Sequence, residues 1–183
     1  MTKAPKVLST KVVAKTRIFT VEQMEIVFSN GYKGVFERIK GSAKGAVLIV
    51  PMLDNDTVLL TREYAAGVNR YELALPKGGI NSDETILETA NRELKEEVGY
   101  GAHKLEHLIS FTTSPAYINH QTHVVLAQQL YEKRLPGDEP ELIEVIPWRI
   151  NNLNTLLFNK ECTEGRSIAA LYYVRDFLNN SGN

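Results

Sequence analysis

Residues Gly78–Tyr100 read GGINSDETILETANRELKEEVGY and decide the fold of this 183-residue chain. The stretch carries six carboxylates but only two basic residues, Arg92 and Lys95. Like charges three or four residues apart on a helix repel one another, so this density of acids calls for a positive charge among them. A divalent cation supplies that charge, and the stretch therefore indicates metal chemistry and, with it, phosphate chemistry. The six acids are Asp83, Glu84, Glu88, Glu93, Glu96 and Glu97.

The same stretch predicts an amphipathic helix over residues 86–98. Thr85 followed three residues later by Glu88 is a capping-box pattern, which marks the N-terminus of a helix. Gly99 suits the position just past the last helical residue, where a left-handed conformation is common. Four apolar residues fall on one stripe and are predicted to pack against a sheet. They are Leu87, Ala90, Leu94 and Val98.

The acid spacing predicts where a metal ion would bind. Glu93 and Glu97 are four residues apart, so a helix places them on one face, with Glu96 adjoining. Oxygen ligands of this kind suit Mg²⁺, which keeps several waters and binds substrate phosphates. Gly78 and Gly79 allow a sharp turn and a close approach of the backbone, so a carbonyl of this loop could add a ligand. The competing interpretation is a solvated, salt-bridged helix face, and the joint occurrence of glycine loop, cap and acid spacing favours the metal site.

The stretch resembles the Nudix box, Gly-x5-Glu-x7-Arg-Glu-U-x-Glu-Glu-x-Gly-U, in which U is a bulky aliphatic residue. One position departs from the pattern, because Tyr100 stands where Ile, Leu or Val is usual, and that position serves packing. The resemblance implies a Nudix fold, an α/β fold in which a mixed β-sheet is sandwiched between helices. It also implies hydrolysis of a nucleoside diphosphate linked to another moiety. The fixed positions are occupied by Gly78, Glu84, Arg92, Glu93, Leu94, Glu96, Glu97 and Gly99.

The resemblance also implies the ligands of the metal. Glu93 and Glu97 would be the principal ligands, and Glu96 would be auxiliary. The Lys77 carbonyl would contribute from the glycine loop. The expected ion is Mg²⁺, with Mn²⁺ as an alternative.

The catalytic groups implied by the resemblance include residues inside and outside the box. Arg92 would orient the glutamates, and Glu84 would be its structural partner. The acids of the box are occupied by metal, so the general base must come from elsewhere; in ADP-ribose pyrophosphatases it is a glutamate on a mobile loop. By resemblance we predict Glu139 in the loop LPGDEPE as the base, with Glu141 as second choice or added metal ligand. The alternative is a solvated acidic loop.

The resemblance extends over nearly the whole chain, to NudE-type ADP-compound hydrolases of the ADP-ribose pyrophosphatase branch. The stretches that carry it are RIFTVE, FSNGYKGVFERIK, LLTREYAAG, ANRELKEEVGYGA and GDEPE. These enzymes cleave ADP-ribose, NADH and diadenosine polyphosphates, which implies release of AMP. Pro115 resembles the downstream proline of ADP-ribose hydrolases, and Tyr117 resembles the downstream tyrosine of diadenosine polyphosphate hydrolases. The segment Ser114–Tyr117 therefore implies a broad substrate range.

Three further residues are candidates for substrate binding. Arg38 and Arg62 can act as bidentate donors to phosphate or ribose oxygens. Phe19 can stack on adenine, although a phenylalanine in a hairpin more often belongs to a core.

The first 44 residues are predicted to form a β-hairpin subdomain, and residues 45–183 the Nudix hydrolase domain. Strands over 21–28 and 32–39 flank an Asn30-Gly31 turn, and the small residues 41–45 form the boundary. A hairpin alone is marginally stable, so it must pack on another surface. In NudE-type enzymes, which this region resembles, the hairpin builds a homodimer, and we expect a homodimer here.

The rest of the chain predicts strands interleaved with helices. Periodicity and turn residues place strands at 46–50, 57–64, 71–75, 105–113 and 123–130, and helices at 151–158 and 167–178. Residues 135–141 are predicted to form a polar loop.

Composition excludes several classes of protein. A net charge of −1 argues against a general binder of nucleic acids or membrane surfaces, which would show a basic patch. The longest apolar run, residues 46–53, is far below the roughly 20 residues that span a bilayer. No secretory signal is visible at the N-terminus. Cys162 is the only cysteine, so no internal disulfide can form, and we expect a cytoplasmic protein.

Two other functions compete with the hydrolase. A nucleotide-binding Nudix module without catalysis would be expected to lack glutamates of the box, whereas Glu93, Glu96 and Glu97 are all present. An RNA-end pyrophosphohydrolase would favour a basic channel, which the net charge does not indicate.

Overall fold

A computed structural model describes residues 3–158 and 160–181. The strands are β1 Lys6–Lys15, β2 Thr20–Val27, β3 Lys33–Lys40, β4 Ala46–Pro51, β5 Thr57–Ala65, β6 Arg70–Ala74, β7 Lys77–Gly79, β8 Tyr100–Thr112, β9 Ile118–Asn119, β10 Gln121–Glu132 and β11 Glu144–Arg149. The helices are α1 Ile86–Glu93, α2 Leu153–Phe158 and α3 Gly165–Ser181. Leu94–Val98 form a π-helical turn after α1, and Ile150–Asn152 form a 3₁₀ turn before α2. Among the described residues, no helix is long and apolar enough to cross a bilayer.

The chain divides into two compact units. One contains the residues up to Gly45 together with Thr112–Gln121, and the other contains Ala46–Phe111 and the residues from Thr122 onward. The association of Thr112–Gln121 with the N-terminal residues is not predicted from the sequence.

The first unit is a four-stranded sheet in the order β1-β2-β3-β9. The predicted hairpin is present as β2 and β3, and Gly31 has the left-handed φ of 84° that its turn requires. Strand β1 is missing from the prediction because its pairing with β2 shifts register twice, after Val7 and after Val12. Each shift breaks the alternation of side chains on which strand prediction depends.

The second unit contains two sheets, ordered β7-β4-β10-β8 and β11-β5-β6. Strand β4 pairs in parallel with β10, and Val47–Pro51 are buried, as the continuous apolar run predicts. Strands β5, β6, β8 and β10 and helices α2 and α3 are confirmed with shifted ends. Strand β11 is missing from the prediction because Pro147 interrupts its pattern; the strand lies at a sheet edge, where a missing N–H is tolerated.

Alternate residues of β4 face two different cores. Val47 and Ile49 pack in the cluster that holds Ala90 of α1, Leu94 and Val98. Leu48 and Val50 pack in a second cluster with residues of α3. Helices therefore cover both faces of this strand, which confirms the predicted α/β sandwich. The α3 residues in the second cluster are Ala170, Leu171 and Val174.

Candidate metal and diphosphate site

Helix α1 begins with the predicted capping box. The Glu88 N–H donates to Thr85 Oγ1 at 3.3 Å, and the Thr85 N–H donates to Glu88 Oε2 at 2.9 Å. Two backbone donors that the helix leaves unpaired at its N-terminus are thus satisfied. The cap fixes the point at which the chain leaves the glycine loop and enters the helix.

The helix does not run unbroken to Val98 as predicted. It is α-helical to Glu93 and then widens into the π-helical turn, in which the Gly99 N–H donates to the Leu94 carbonyl at 3.1 Å. Gly99 adopts the predicted left-handed conformation, with φ 83°. Arg134 donates to the Val98 carbonyl at 3.3 Å and so supports the end of the turn. Such widened turns occur mostly at functional sites.

The buried stripe of the helix differs from the prediction at one position. Ala90, Leu94 and Val98 are buried as expected, whereas Leu87 is 38% exposed. Ile86 packs against the core cluster instead. The stripe therefore runs through residues 86, 90 and 93–94, which also turns Glu93 toward the interior.

Arg92 binds three glutamates of the box. Its Nε donates to Glu84 Oε1 at 2.7 Å, and its Nη1 donates to Glu93 Oε1 and Glu96 Oε2, both at 2.8 Å. Hydrogen bonds to Glu84 are the main reason that the pKa of Arg92 is raised. The same bonds lower the pKa of Glu84 to about 2. One guanidinium group thus binds Glu84, which precedes the helix, and Glu93 and Glu96, which lie near its end. These bonds suit the predicted role of Arg92 in orienting the glutamates.

Glu84→Gln is expected to destabilise the protein by on the order of 2 kcal/mol at neutral pH, because it removes charged hydrogen bonds to Arg92. The contribution of Glu84 is present above its unfolded pKa near 4.5 and is lost as the pH falls toward about 2. The difference in unfolding free energy between wild type and variant should therefore shrink between these pH values. Urea denaturation from pH 2 to pH 7 measures this, and exposed Asp83→Asn is the neighbouring control. A difference independent of pH would contradict the assignment.

Glu93 and Glu97 are buried, with 9% and 4% of their surface exposed. Burial raises the pKa of both carboxyls, that of Glu97 to about 9, and the charge of Glu63 adds to the effect on Glu97. The Lys77 N–H donates to Glu97 Oε2 at 3.1 Å, which connects the glycine loop to the π-helical turn. Buried carboxylates are costly unless a cation compensates them, so both residues suit metal ligation.

Gly78 permits the close approach of the loop to Glu93. A Cβ at position 78 would lie 1.9 Å from Glu93 Oε1, whereas a Cβ at Gly79 would meet nothing within 4 Å. The first glycine of the box is therefore required by the space that the Glu93 carboxylate occupies.

Gly78→Ala is expected to weaken divalent-cation binding at least about tenfold, because the new methyl group displaces Glu93, and disturbed metal sites typically lose 10- to 100-fold in affinity. Gly79→Ala is the matched control and should bind as wild type. Isothermal titration with Mn²⁺ measures both. Equal affinity in the two variants would contradict a role for Glu93 in binding the cation.

The donor set suits a hard divalent cation. The candidate ligands are carboxylate and carbonyl oxygens, which such ions prefer, and Glu63 Oε1 nearby is buried without a hydrogen-bond partner. In this structure Arg92 binds Glu93 and Glu96. Within residues 3–158 and 160–181, no group of three or more His, Cys, Asp or Glu side chains is arranged to hold a metal ion. Binding therefore requires the glutamates to turn from Arg92 toward the cation.

A cavity of about 560 Å³ lies beside these glutamates. Arg92, Glu93 and Glu96 line one side, and Pro136–Asp138 line the other. The loop predicted over residues 135–141 is confirmed as irregular. Because it lines this cavity together with the glutamates, it lies beside the acidic helix. The cavity is large enough for a nucleotide diphosphate group.

The two predicted base residues have different environments. Glu139 lies near the box, since its negative charge contributes to the raised pKa of Glu93, after burial and the charge of Glu96. Glu141 instead accepts a hydrogen bond from the Tyr71 hydroxyl at 2.8 Å. A second cavity of about 350 Å³ is lined by Glu96 and both loop glutamates.

The two predicted arginines are engaged in ion pairs. Arg62 binds Glu144 and Glu161, both at 2.9 Å, within the second unit. Arg38 binds Glu22 at 2.9 Å within the first unit. A substrate would have to share these guanidinium groups with the carboxylates.

The other predicted substrate residues lie in the first unit. Phe19 is 51% exposed and Tyr117 is 69% exposed. Ser114 has a left-handed φ of 49°, and its carbonyl accepts a bond from the Tyr117 N–H at 2.8 Å, which makes Ser114–Tyr117 a tight turn. Phe19 and Tyr117 are thus exposed aromatic side chains suited to stacking, and Phe19 does not belong to a core.

Comparison with known proteins identifies the family. The NUDIX domain model matches residues 43–167, and the NudE-type Nudix hydrolase N-terminal domain model matches residues 5–38. ADP compounds hydrolase NudE of Escherichia coli is 42% identical over 97% of this chain and 95% of its own length. ADP-ribose pyrophosphatase of Bacillus subtilis is 30% identical over 93% of this chain and 95% of its own length.

A solved structure is similar over the whole chain. The crystal structure of an ADP compounds hydrolase superposes with a TM-score of 0.92 at 41% identity, and the match covers 100% of this chain and 98% of that one. Glu93 lies at the end of α1, and Glu96 and Glu97 lie in the π-helical turn that follows it. The chain therefore belongs to the Nudix hydrolase family, in its NudE-type branch.

Proposed function

We propose that this enzyme hydrolyses the diphosphate linkage of ADP compounds, among them ADP-ribose, NADH and diadenosine polyphosphates. Water attacks one phosphorus, the bridging P–O bond breaks, and the products are AMP and a phosphorylated remainder, for example ribose 5-phosphate from ADP-ribose. The observation that carries the proposal is the NudE-type N-terminal match in a chain whose box keeps Glu93, Glu96 and Glu97. The relatives from Escherichia coli and Bacillus subtilis are named as an ADP compounds hydrolase and an ADP-ribose pyrophosphatase.

Nudix hydrolases use a divalent metal, and we propose Mg²⁺, with Mn²⁺ as a substitute. Glu93, Glu97 and the Lys77 carbonyl would hold it, with Glu96 assisting. When bound, it neutralises the diphosphate and lowers the pKa of the attacking water. Before metal binds, the Lys77 N–H holds Glu97 and Arg92 holds Glu93 and Glu96, which keeps the candidate ligands close to the site.

We propose Glu139 as the general base that takes the proton of the attacking water. Its electrostatic contact with Glu93 supports this choice, and the hydrogen bond from Tyr71 makes Glu141 the less available carboxylate. A general base contributes about 10²- to 10⁴-fold when it lies within hydrogen-bond reach of the water.

Two kinds of side chain are proposed to bind substrate. Phe19 and Tyr117 offer exposed rings for stacking on adenine, with Ser114 and Pro115 shaping the turn that carries Tyr117. Arg38 and Arg62 offer guanidinium groups to phosphate or ribose oxygens.

The proposed assembly is a homodimer built by the first unit. Support comes from β1, an edge strand in which every residue is exposed, including Val7, Val12 and Val13. An exposed edge strand with apolar side chains favours pairing with another chain. A cytoplasmic location also belongs to the proposal, and it rests on the single, buried Cys162.

Sedimentation equilibrium should give a mass twice the 20.6 kDa of the chain. Val12→Lys should shift the protein toward the monomer, because it places a charge on the exposed face of β1. The control is Phe158→Lys, which changes an exposed apolar residue of the other unit. A wild-type monomer at micromolar concentration would refute the dimer.

The function is tested by incubating the protein and Mg²⁺ with ADP-ribose, NADH and a diadenosine polyphosphate, and following AMP by chromatography. We expect AMP from at least one of them, and comparison of kcat/KM values ranks the substrates. If none of the three yields AMP with Mg²⁺ or Mn²⁺, the proposal is wrong.

A further inference from the structure

Glu63 carries an acceptor that the fold leaves unsatisfied. It lies in β5, opposite Glu72 of β6. Its Oε1 is buried and has no hydrogen-bond partner among the described residues. Buried polar atoms nearly always have partners, so this oxygen has a place for one, such as a water, a substrate group or a cation. Glu63 lies outside the Nudix box, so the sequence does not indicate that this carboxylate needs a partner.

Lys77 compensates only the other oxygen of this carboxylate. Its Nζ donates to Glu63 Oε2 at 2.8 Å, while its backbone N–H donates to Glu97 Oε2 at 3.1 Å. Lys77 thus links Glu63 to Glu97, a principal candidate ligand of the metal. The Lys77 carbonyl is itself another candidate ligand. Glu63 also repels Glu97 electrostatically. The Lys77 ammonium therefore binds one oxygen of Glu63, the Lys77 backbone N–H binds Glu97, and Glu63 Oε1 is left without a partner among the described residues.

We propose that Glu63 is a further carboxylate of the divalent-cation site and contributes its Oε1 to binding of the ion. A divalent cation would satisfy the orphaned oxygen and remove the repulsion between Glu63 and Glu97. This inference rests on the metal dependence of the proposed function, but it concerns a residue outside the Nudix box.

Two other roles for Glu63 predict different results. Glu63 borders a separate cavity of about 410 Å³ that Tyr64, Val68 and Lys77 also line. In that cavity Oε1 could accept a bond from a substrate hydroxyl. Alternatively, Glu63 could only hold the Lys77 side chain in place. Neither role requires Glu63 for binding of a cation in the absence of substrate.

The test is Mn²⁺ binding without substrate, followed by electron paramagnetic resonance and isothermal titration. Glu63→Gln should weaken Mn²⁺ binding about tenfold or more and reduce the rise in melting temperature that Mn²⁺ produces. Glu144→Gln is the matched control, because it removes one negative charge from the strand next to β5, and it should bind as wild type. Lys77→Met removes the ammonium but keeps the carbonyl and the N–H, and its affinity should be equal to or higher than that of wild type.

Three results would overturn the inference. Mn²⁺ affinity of Glu63→Gln equal to that of wild type would exclude Oε1 from the cation site. A loss of affinity in Lys77→Met as large as that in Glu63→Gln would give Glu63 a structural role through Lys77. A loss as large in Glu144→Gln would reduce the effect to net charge. Because no step uses substrate turnover, failure of the proposed hydrolysis leaves this result readable, and the reverse also holds.

Discussion

Glu97→Gln is expected to lower kcat for ADP-ribose by on the order of 10³-fold. A metal ion contributes several kcal/mol of transition-state stabilisation, and each tenfold in rate corresponds to about 1.4 kcal/mol. The glutamine keeps the shape of the side chain and its acceptor for the Lys77 N–H. It removes the charge that attracts the cation, so the loss should appear in both activity and metal affinity.

The folded structure should survive this change. Burial raises the pKa of Glu97 to about 9, so the ionised form is unfavourable in the metal-free protein. A folded pKa above the unfolded value near 4.5 means that Glu97 costs stability increasingly as the pH rises between these values. At pH 8 without metal, the melting temperature of Glu97→Gln should therefore equal or exceed that of wild type.

Glu88→Gln is the control on the same helix, since it lies in the cap and glutamine also satisfies a capping box. It should retain wild-type activity. Full activity of Glu97→Gln would remove Glu97 from the metal site, and a lower melting temperature would mean that the residue stabilises the fold rather than serving the ion.

The sequence predicted best where local pattern and tertiary structure agree. The capping box at Thr85, the left-handed Gly99 and the buried run of β4 follow from short-range chemistry that packing does not change. The Arg92–Glu96 ion pair likewise follows from the i,i+4 spacing on a helix.

Predictions failed where the structure departs from regular periodicity. Two register shifts interrupt the alternation of side chains in β1, so this strand was not predicted. Pro147 interrupts the strand pattern of β11 in the same way. The π-helical turn after Glu93 cannot be read from LKEEV, which has the composition of an ordinary helix; carbonyls at its end are bound by Arg134, distant in sequence. The exposure of Leu87 follows from the stripe through Ile86.

The spatial arrangement of charged residues that lie far apart in the chain also could not be predicted from the sequence. Glu63 is an ordinary strand residue by pattern, and only the structure shows that its Oε1 is buried without a hydrogen-bond partner among the described residues. The two loop glutamates, Glu139 and Glu141, have similar surroundings in the sequence, but Glu139 acts electrostatically on Glu93 whereas Glu141 is bound by Tyr71. Such distinctions require coordinates, because they arise from partners far apart in the chain.

Glu139→Gln is expected to lower kcat by about 10²- to 10⁴-fold, the usual contribution of a general base. Metal affinity should change little, because the glutamates of the box are intact. KM should also change little, since a base acts on water rather than on the bound substrate. Hydroxide needs no base, so the rate of the variant should rise by about tenfold per pH unit in alkaline solution, until it approaches that of wild type.

Glu141→Gln is the matched comparison, two residues away in the same loop. Its hydrogen bond from Tyr71 can be kept by the glutamine carbonyl, so a loss of less than about tenfold is expected, well below the range for a general base. Steady-state kinetics from pH 6 to 10, with Mn²⁺ titrations of both variants, separate the possibilities. A larger loss in Glu141→Gln with unchanged metal affinity would make Glu141 the base. Weakened Mn²⁺ binding in Glu141→Gln would make Glu141 an added metal ligand. Small and equal losses of kcat in Glu139→Gln and Glu141→Gln would place the general base outside this loop.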